Sequence, residues 1–106
     1  MRKYIIVKDD EGRYVMRFAN VDFHFNLVEK TDKRIFGGGM YTDNDETKEM
    51  LLWGRSSDYG EPKFGEVTGK IHTDSDLEGY KIILGNIYPS LEENRTDITS
   101  KFIFDE

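Results

Sequence analysis

Hydrophobic and polar residues form short apolar blocks or alternate along much of the chain, which is the pattern of β-strands. The block Arg2–Lys8 has an apolar centre and predicts a buried strand, and Arg13–Phe18 alternates and predicts its antiparallel partner. The segment between them, Asp9–Gly12, predicts a tight turn because acidic residues and glycine favour turn conformations. These segments are therefore expected to form a β-hairpin.

Further strands are predicted beyond this hairpin. From Val21 to Asn26 apolar residues alternate with polar ones, and this period of two places His24 on the solvated face of a strand. The other segments predicted as strands are Arg34–Thr42, Lys48–Ser56, Tyr80–Ile87 and an edge strand over Lys101–Phe104.

One short helix is predicted after Pro62, since Phe64, Val67 and Ile71 have the spacing of a single helical face. Elsewhere the composition favours strands, because the chain has only one alanine, the best helix former. The prediction is a single α+β domain over residues 1–106, with a mixed central sheet of about six strands and one or two short helices.

Charge and composition restrict the partners. Fifteen basic and 21 acidic residues give a net charge of −6, which has the wrong sign for neutralising nucleic-acid phosphates or an anionic membrane. No apolar run approaches the ~20 residues of a membrane-spanning helix, and no signal peptide is expected. The absence of cysteine excludes disulfides and fits a reducing, cytoplasmic compartment. A monomer without nucleic-acid or membrane partners is expected.

The two histidines, His24 and His72, are the candidate acid–base groups, because imidazole changes charge near neutral pH. A lone histidine on a strand is more often a surface or packing residue, and His72 adjoins a predicted turn. The acidic loop Asp43–Glu46 lacks the spacing of a calcium loop, so no metal site is predicted.

A loop bracketed by glycines, Gly54–Gly60, directly follows a predicted strand. Successive backbone N–H groups in such a loop can converge on an anion. The alternative is an ordinary tight turn with polar side chains. A serine-nucleophile elbow does not fit, because Asp58 stands where that pattern requires a glycine.

Several motifs occur together in a characteristic order. They are Phe23–Leu27 around the histidine, the triple glycine Gly37-Gly38-Gly39, and Gly54-x-Ser56-x-x-Tyr59-Gly60. Together with Lys3-Tyr4-Ile5-Ile6, they resemble the phosphohistidine phosphatases of the Janus/Ocnus family. The similarity covers residues 2–87, whereas 88–106 form an additional tail.

The resemblance implies a phosphatase that needs neither metal nor cofactor and hydrolyses the phosphoramidate bond of phosphohistidine in proteins or of small phosphoramidates. It implies that His24 is the general base that activates water. It implies that the triple glycine is structural and lets a neighbouring chain approach closely. The residues implied to bind the phosphoryl group are Lys3, Arg17, Arg55, Ser56, Ser57 and Asp58.

Some positions depart from the family pattern. Met40 follows the glycines where the family has an arginine, Asp58 adds a negative charge to the loop, and the connection from His24 to Gly37 is short. These departures favour an alternative function, a non-catalytic phosphate-binding or protein-interaction module on the same fold. The histidine and the first-strand lysine favour the enzyme.

Overall fold

A computed structural model describes residues 1–85 and 95–105, and the main element of this part of the chain is one eight-stranded sheet that curls into a half-barrel. The strands lie in the order β7-β6-β4-β3-β1-β2-β5-β8. Their bounds are β1 Arg2–Lys8, β2 Tyr14–Asn20, β3 Arg34–Asn44, β4 Glu49–Trp53, β5 Ile71–Asp74, β6 Lys81–Leu84, β7 Thr96–Asp97 and β8 Phe102–Asp105.

Strand β1 lies near the middle of the sheet and pairs antiparallel with β2 on one side and β3 on the other. The predicted hairpin is confirmed, and so are the bounds of its first strand. The pairs β4–β6, β2–β5 and β5–β8 are parallel. The end of the predicted strand Tyr80–Ile87 and the tail residues 88–94 lie outside the described residues.

The sequence segment interpreted as an additional tail supplies both edges of the sheet. Strand β7 pairs with β6 at one edge, and β8 pairs with β5 at the other. The predicted edge strand near the C-terminal end is therefore confirmed as β8. Residues 95–105 complete the sheet that the earlier part of the chain begins.

The predicted α+β class is wrong. The described residues contain no α-helix, and the sheet has eight strands rather than about six. The helix predicted after Pro62 is only a 3₁₀ turn, Phe64–Glu66, because Gly65 and Gly69 weaken a longer helix. The other 3₁₀ turns are His24–Leu27, Ser75–Leu77 and Thr99–Lys101.

The hydrophobic core packs against one face of the sheet. Tyr4 and Ile6 of β1 point into it, and full burial of such side chains contributes about 1.5–3 kcal/mol each. The other strand residues in the core include Met16, Tyr41, Met50, Leu52, Ile71, Ile82 and Phe102. Ile5 and Val7 are also fully buried, on the opposite face of β1. Strand β1 is therefore covered on both sides, as its continuous apolar block predicts.

The cover on this opposite face comes from the irregular segment 21–33. Arg17 of β2 donates to the carbonyl oxygen of Leu27 at 3.0 Å and to both carboxylate oxygens of Asp32 at 2.6 and 2.8 Å. The amide of Lys33 donates to the carbonyl of Lys8 at 2.8 Å. These bonds fasten the segment across β1 and β2.

The triple glycine of β3 is needed for close approach, as predicted. A Cβ atom on Gly38 would lie 2.3 Å from the Tyr4 carbonyl oxygen and 3.1 Å from Cδ2 of His24. Gly37 has a φ of 137°, and a Cβ there would lie 2.7 Å from the backbone of Glu61. Side chains at these positions would separate β3 from its neighbours.

No helix in the described ranges has the length and hydropathy needed to cross a membrane.

Gly38→Ala is expected to lower the free energy of unfolding by about 3 kcal/mol or more, because its methyl group would overlap the backbone of β1. Gly65→Ala is the matched control, since no atom lies within 4 Å of a Cβ built there. That control should change stability by less than about 1 kcal/mol. Urea unfolding of both variants measures the difference. Equal stability of the two variants would show that β3 does not need the glycine.

Candidate functional site

His24 and the loop Gly54–Gly60 meet around Gly38 in β3, and Lys3 of β1 is close enough to His24 to influence its charge. The His24 ring packs over Gly38, and the amide of Ser56 donates to the Gly38 carbonyl at 2.9 Å. In the β1–β3 ladder, Ile5 is opposite Gly38 and Lys3 is opposite Met40. Since alternate strand residues share a face, Lys3 lies on the face of the sheet that His24 covers.

The segment around His24 differs from its prediction. It forms the 3₁₀ turn His24–Leu27 instead of a strand, and the predicted faces are reversed. His24 is 5% exposed, whereas Phe23 and Phe25 are 55% and 52% exposed. The turn is closed by Asn26, whose side-chain oxygen accepts the Phe23 N–H at 3.0 Å. This local bond gives the backbone an alternative to the strand.

One hydrogen bond fixes the tautomer of His24. Its Nε2 lies 2.8 Å from the carbonyl oxygen of Gly39. A carbonyl oxygen only accepts, so Nε2 carries the hydrogen and Nδ1 of the neutral ring keeps its lone pair. Nδ1 has no hydrogen-bond partner among residues 1–85 and 95–105, so these residues leave its lone pair unused.

The surroundings keep the His24 imidazole neutral. Burial lowers the pKa of His24 below its ordinary value of 6.5, and the positive charge of Lys3 lowers it further. The hydrogen bond to Gly39 and the negative charge of Asp58 oppose this shift. The net direction is downward, so at pH 7 the ring has a free Nδ1 that can accept a proton.

The loop Gly54–Gly60 is held in shape by Ser56. This residue is 2% exposed, and its hydroxyl oxygen accepts the backbone N–H groups of Asp58 at 3.2 Å and Tyr59 at 3.1 Å. Four of the loop amides that were candidates for binding an anion are thus bonded inside the protein, namely those of Ser56, Asp58, Tyr59 and Gly60. The side chains of Arg55, Ser57 and Asp58 are exposed.

Arg17 has a structural position. Its guanidinium is bound bidentately by Asp32, whose side chain is only 1% exposed. The guanidinium holds the pKa of the Asp32 carboxyl below its usual range. Such a pair is costly to break, at about 3–5 kcal/mol when one partner is removed. Because Asp32 belongs to the segment that carries His24, Arg17 positions that segment. Its predicted contact with a phosphoryl group stays a prediction.

His72, the second histidine, lies away from this site. It belongs to β5, and its Nδ1 is 2.9 Å from the Asp105 carboxylate of β8 at the sheet edge. Within the described parts of the chain, no group of three or more His, Asp or Glu side chains is arranged to hold a metal ion.

Sequence reasoning missed two features of the site. Asp32 belongs to no motif of the sequence, and nothing in its spacing identifies it as the partner of Arg17. The exposed rings of Phe23 and Phe25 were assigned to a core face. The asparagine three residues after Phe23 was the available signal, because Asn favours side-chain bonds that close turns.

Comparisons of the chain with family models, curated proteins and solved structures found no match.

His24→Gln is expected to reduce the pH dependence of stability between pH 7.5 and 5. The folded-state pKa of His24 is below the unfolded value, so the unfolded chain takes up a proton first. This contribution to stability is present above the unfolded pKa and is lost as the pH falls through the folded pKa. The glutamine does not titrate, so the stability advantage of the wild type should shrink as the pH falls.

Urea unfolding at several pH values measures the difference in the free energy of unfolding between the wild type and the variant. The carboxylates titrate in both proteins, so their contributions cancel in this difference. An advantage of the wild type that grows on acidification would contradict the lowered pKa.

Proposed function

We propose that this protein is a phosphatase that hydrolyses the phosphoramidate bond of phosphohistidine, with Nδ1 of His24 as the general base. The observation that carries the proposal is the orientation of that imidazole: Nε2 donates to the Gly39 carbonyl, Nδ1 has no hydrogen-bond partner among residues 1–85 and 95–105, and burial lowers the pKa of the ring, which favours its neutral form. The substrate class comes from the resemblance of the motifs to the Janus/Ocnus phosphatases, in which neither a metal nor a cofactor is required.

The reaction needs one water molecule. Its oxygen attacks phosphorus while its proton passes to Nδ1 of His24. The P–N bond breaks, its electron pair returns to the departing imidazole nitrogen, and that nitrogen takes up a proton from solvent, while His24 releases its proton to solvent and becomes neutral again. The products are inorganic phosphate and unmodified histidine. A positioned base of this kind contributes about 10²–10⁴-fold to the rate.

The immobile ring accounts for much of the expected efficiency. The Gly39 carbonyl holds the ring in one tautomer, as a carboxylate or carbonyl does for other catalytic histidines. Because the residue is 5% exposed, the ring cannot rotate freely. The base is therefore oriented before substrate arrives.

Lys3 is assigned the role of binding the phosphoryl dianion. It lies on the face of β1 that His24 covers, and its charge is close enough to lower the pKa of His24. The exposed guanidinium of Arg55 offers a second positive charge on the loop. Electrostatic stabilisation of the transferring group is the main requirement of phosphoryl transfer.

A binding module without turnover is the second candidate, and Asp58 favours it. Its carboxylate is exposed and close enough to raise the pKa of His24. Asp58 therefore adds negative charge beside the position assigned to the phosphoryl dianion. Because like charges repel, this carboxylate opposes the placement of the dianion there.

His24→Gln is expected to lower kcat for phosphate release from a phosphohistidine peptide by about 10²-fold or more. Glutamine can still donate to the Gly39 carbonyl, but it has no base in place of Nδ1. His72→Gln removes the other histidine, far from the site, and should leave kcat unchanged. The assay contains a metal chelator. Melting curves of all variants are measured as well, so that the rates can be corrected for unfolded protein.

The outcomes separate the two candidates. Equal loss, or no loss, in the two histidine variants would remove His24 as the base. If the wild type binds the peptide saturably but releases no phosphate, the protein is a binding module and not a phosphatase.

A further inference from the structure

The sheet opens on the side of β2 that faces away from β1. Strand β2 has seven residues, but only Tyr14 and Val15 are paired with β5. At Met16 the bond across the pair comes from a side chain, since the Thr73 hydroxyl donates to the Met16 carbonyl at 3.3 Å. After β5 the chain turns away through the 3₁₀ turn Ser75–Leu77. Within the described residues, the end of β2 is therefore an open edge in the interior of the sheet.

The backbone groups of this open edge point away from β1. Met1 and Val21 exchange two bonds, at 2.8 and 3.2 Å, so they form a hydrogen-bonded pair that continues the β1–β2 ladder. In an antiparallel ladder such pairs alternate with pairs whose N–H and C=O groups point outward. The outward groups at the end of β2 belong to Phe18 and Asn20, and they have no backbone partner among residues 1–85 and 95–105. Two donors and two acceptors thus line the open edge.

A cleft of about 450 Å³, which we call the β2–β5 cleft, lies where the two strands separate. Its walls are residues 15–18 of β2, Thr73 and Asp74 of β5, Ser75, and Asp105 of β8. The volume is within the range of about 300–1,000 Å³ that is typical of ligand sites. An extended peptide segment suits a cleft with unpaired backbone groups along one wall, because it can pair with them as an added strand.

The charge of the cleft determines which side chains suit it. Asp74 and Asp105 stand directly opposite each other in the β5–β8 pair, an arrangement in which like charges destabilise a sheet. His72 contacts one oxygen of Asp105, whereas no salt bridge within the described ranges involves Asp74. Arg17, the cation of the lining, is neutralised by Asp32. A lysine or arginine side chain from a ligand would offset the repulsion between the two carboxylates.

We propose that the β2–β5 cleft binds an extended, basic segment of a partner protein, which adds a short strand to β2. The backbone of this segment pairs with Phe18 and Asn20, and its lysine or arginine side chains face Asp74 and Asp105. These carboxylates lie on the face of the sheet opposite the core, whereas Phe18 packs against the core. Because side chains alternate along a strand, the residues between the basic ones face Phe18 and are apolar. The inference goes beyond the proposed phosphatase and does not depend on it.

The test compares two pentapeptides of equal length and alternation, acetyl-Lys-Val-Lys-Val-Lys-amide and acetyl-Glu-Val-Glu-Val-Glu-amide. In a ¹⁵N–¹H NMR titration of the full chain, the lysine peptide should shift the amides of Phe18 and Asn20 saturably, and the glutamate peptide should not. The lysine peptide N-methylated at every residue should not bind, because it has no N–H group to donate to β2.

Asp74→Asn/Asp105→Asn should weaken binding of the lysine peptide about 3- to 10-fold, because two exposed ion pairs are lost. Asparagine can still cap the turn that follows Asp74, so the local structure is kept. Glu46→Gln/Glu49→Gln is the matched control, since it removes two exposed carboxylates at the β3–β4 hairpin, away from the cleft. This control should change the affinity less than about twofold.

Other outcomes overturn the proposal. Equal affinity for the two peptides, or no saturable binding of the lysine peptide, would remove basic recognition. Equal binding of the N-methylated peptide would remove strand addition, and shifts confined to other amides would place the peptide on another surface. If the amides of Phe18 and Asn20 shift when the protein concentration alone is raised, the occupant of the cleft is a second copy of this chain instead of a partner protein.

Discussion

The site depends on a stretch of β3 that carries no side chains. At Gly38 the strand lies so close to β1 that a single methyl group would overlap the Tyr4 carbonyl. The same gap admits the His24 ring on one face, while the Gly38 backbone bonds to Ser56 and Gly60 of the loop. One backbone position thus holds together three segments that are distant in sequence. Three glycines weaken a strand, and the contacts around them offset that loss.

The chemical state of His24 follows from this packing. Because the ring rests on glycine, it sinks far enough to reach the Gly39 carbonyl, and this contact determines which nitrogen keeps the hydrogen. Burial lowers the pKa of the ring, with a cost in stability once acid protonates it. A group held in a perturbed state next to charged neighbours is typical of functional sites. The Arg17–Asp32 ion pair also positions His24, since it holds the segment that carries the histidine against the sheet.

Local signals predicted the local parts of this architecture. The hairpin of β1 and β2 was visible because its apolar block, turn residues and alternating strand are neighbours in sequence. Strand β3 was recognised despite its glycines, and their close packing followed from the absence of side chains. The spacing of Phe64, Val67 and Ile71 identified buried residues but the wrong element, because a 3₁₀ turn followed by a strand buries the same positions.

Contacts between segments that are distant in the chain could not be predicted from the sequence. The alternation around His24 matched a strand, yet one asparagine bond closes a turn that exposes the phenylalanines and buries the histidine. The parallel pairing of β8 with β5 joins segments about 30 residues apart, and no local pattern specifies it. The likeness of the motifs to one family brought the histidine, the lysine and the loop into a single hypothesis, which the residues taken separately did not do.

The most direct test of this account is the tautomer and pKa of His24, measured by ¹⁵N-edited NMR with His72→Gln to simplify the assignment. The account predicts a neutral ring at pH 7 with hydrogen on Nε2, and a pKa below the ordinary value of 6.5. Hydrogen on Nδ1, or a pKa above that value, would contradict it, because Nδ1 would then have no free lone pair with which to take a proton from water.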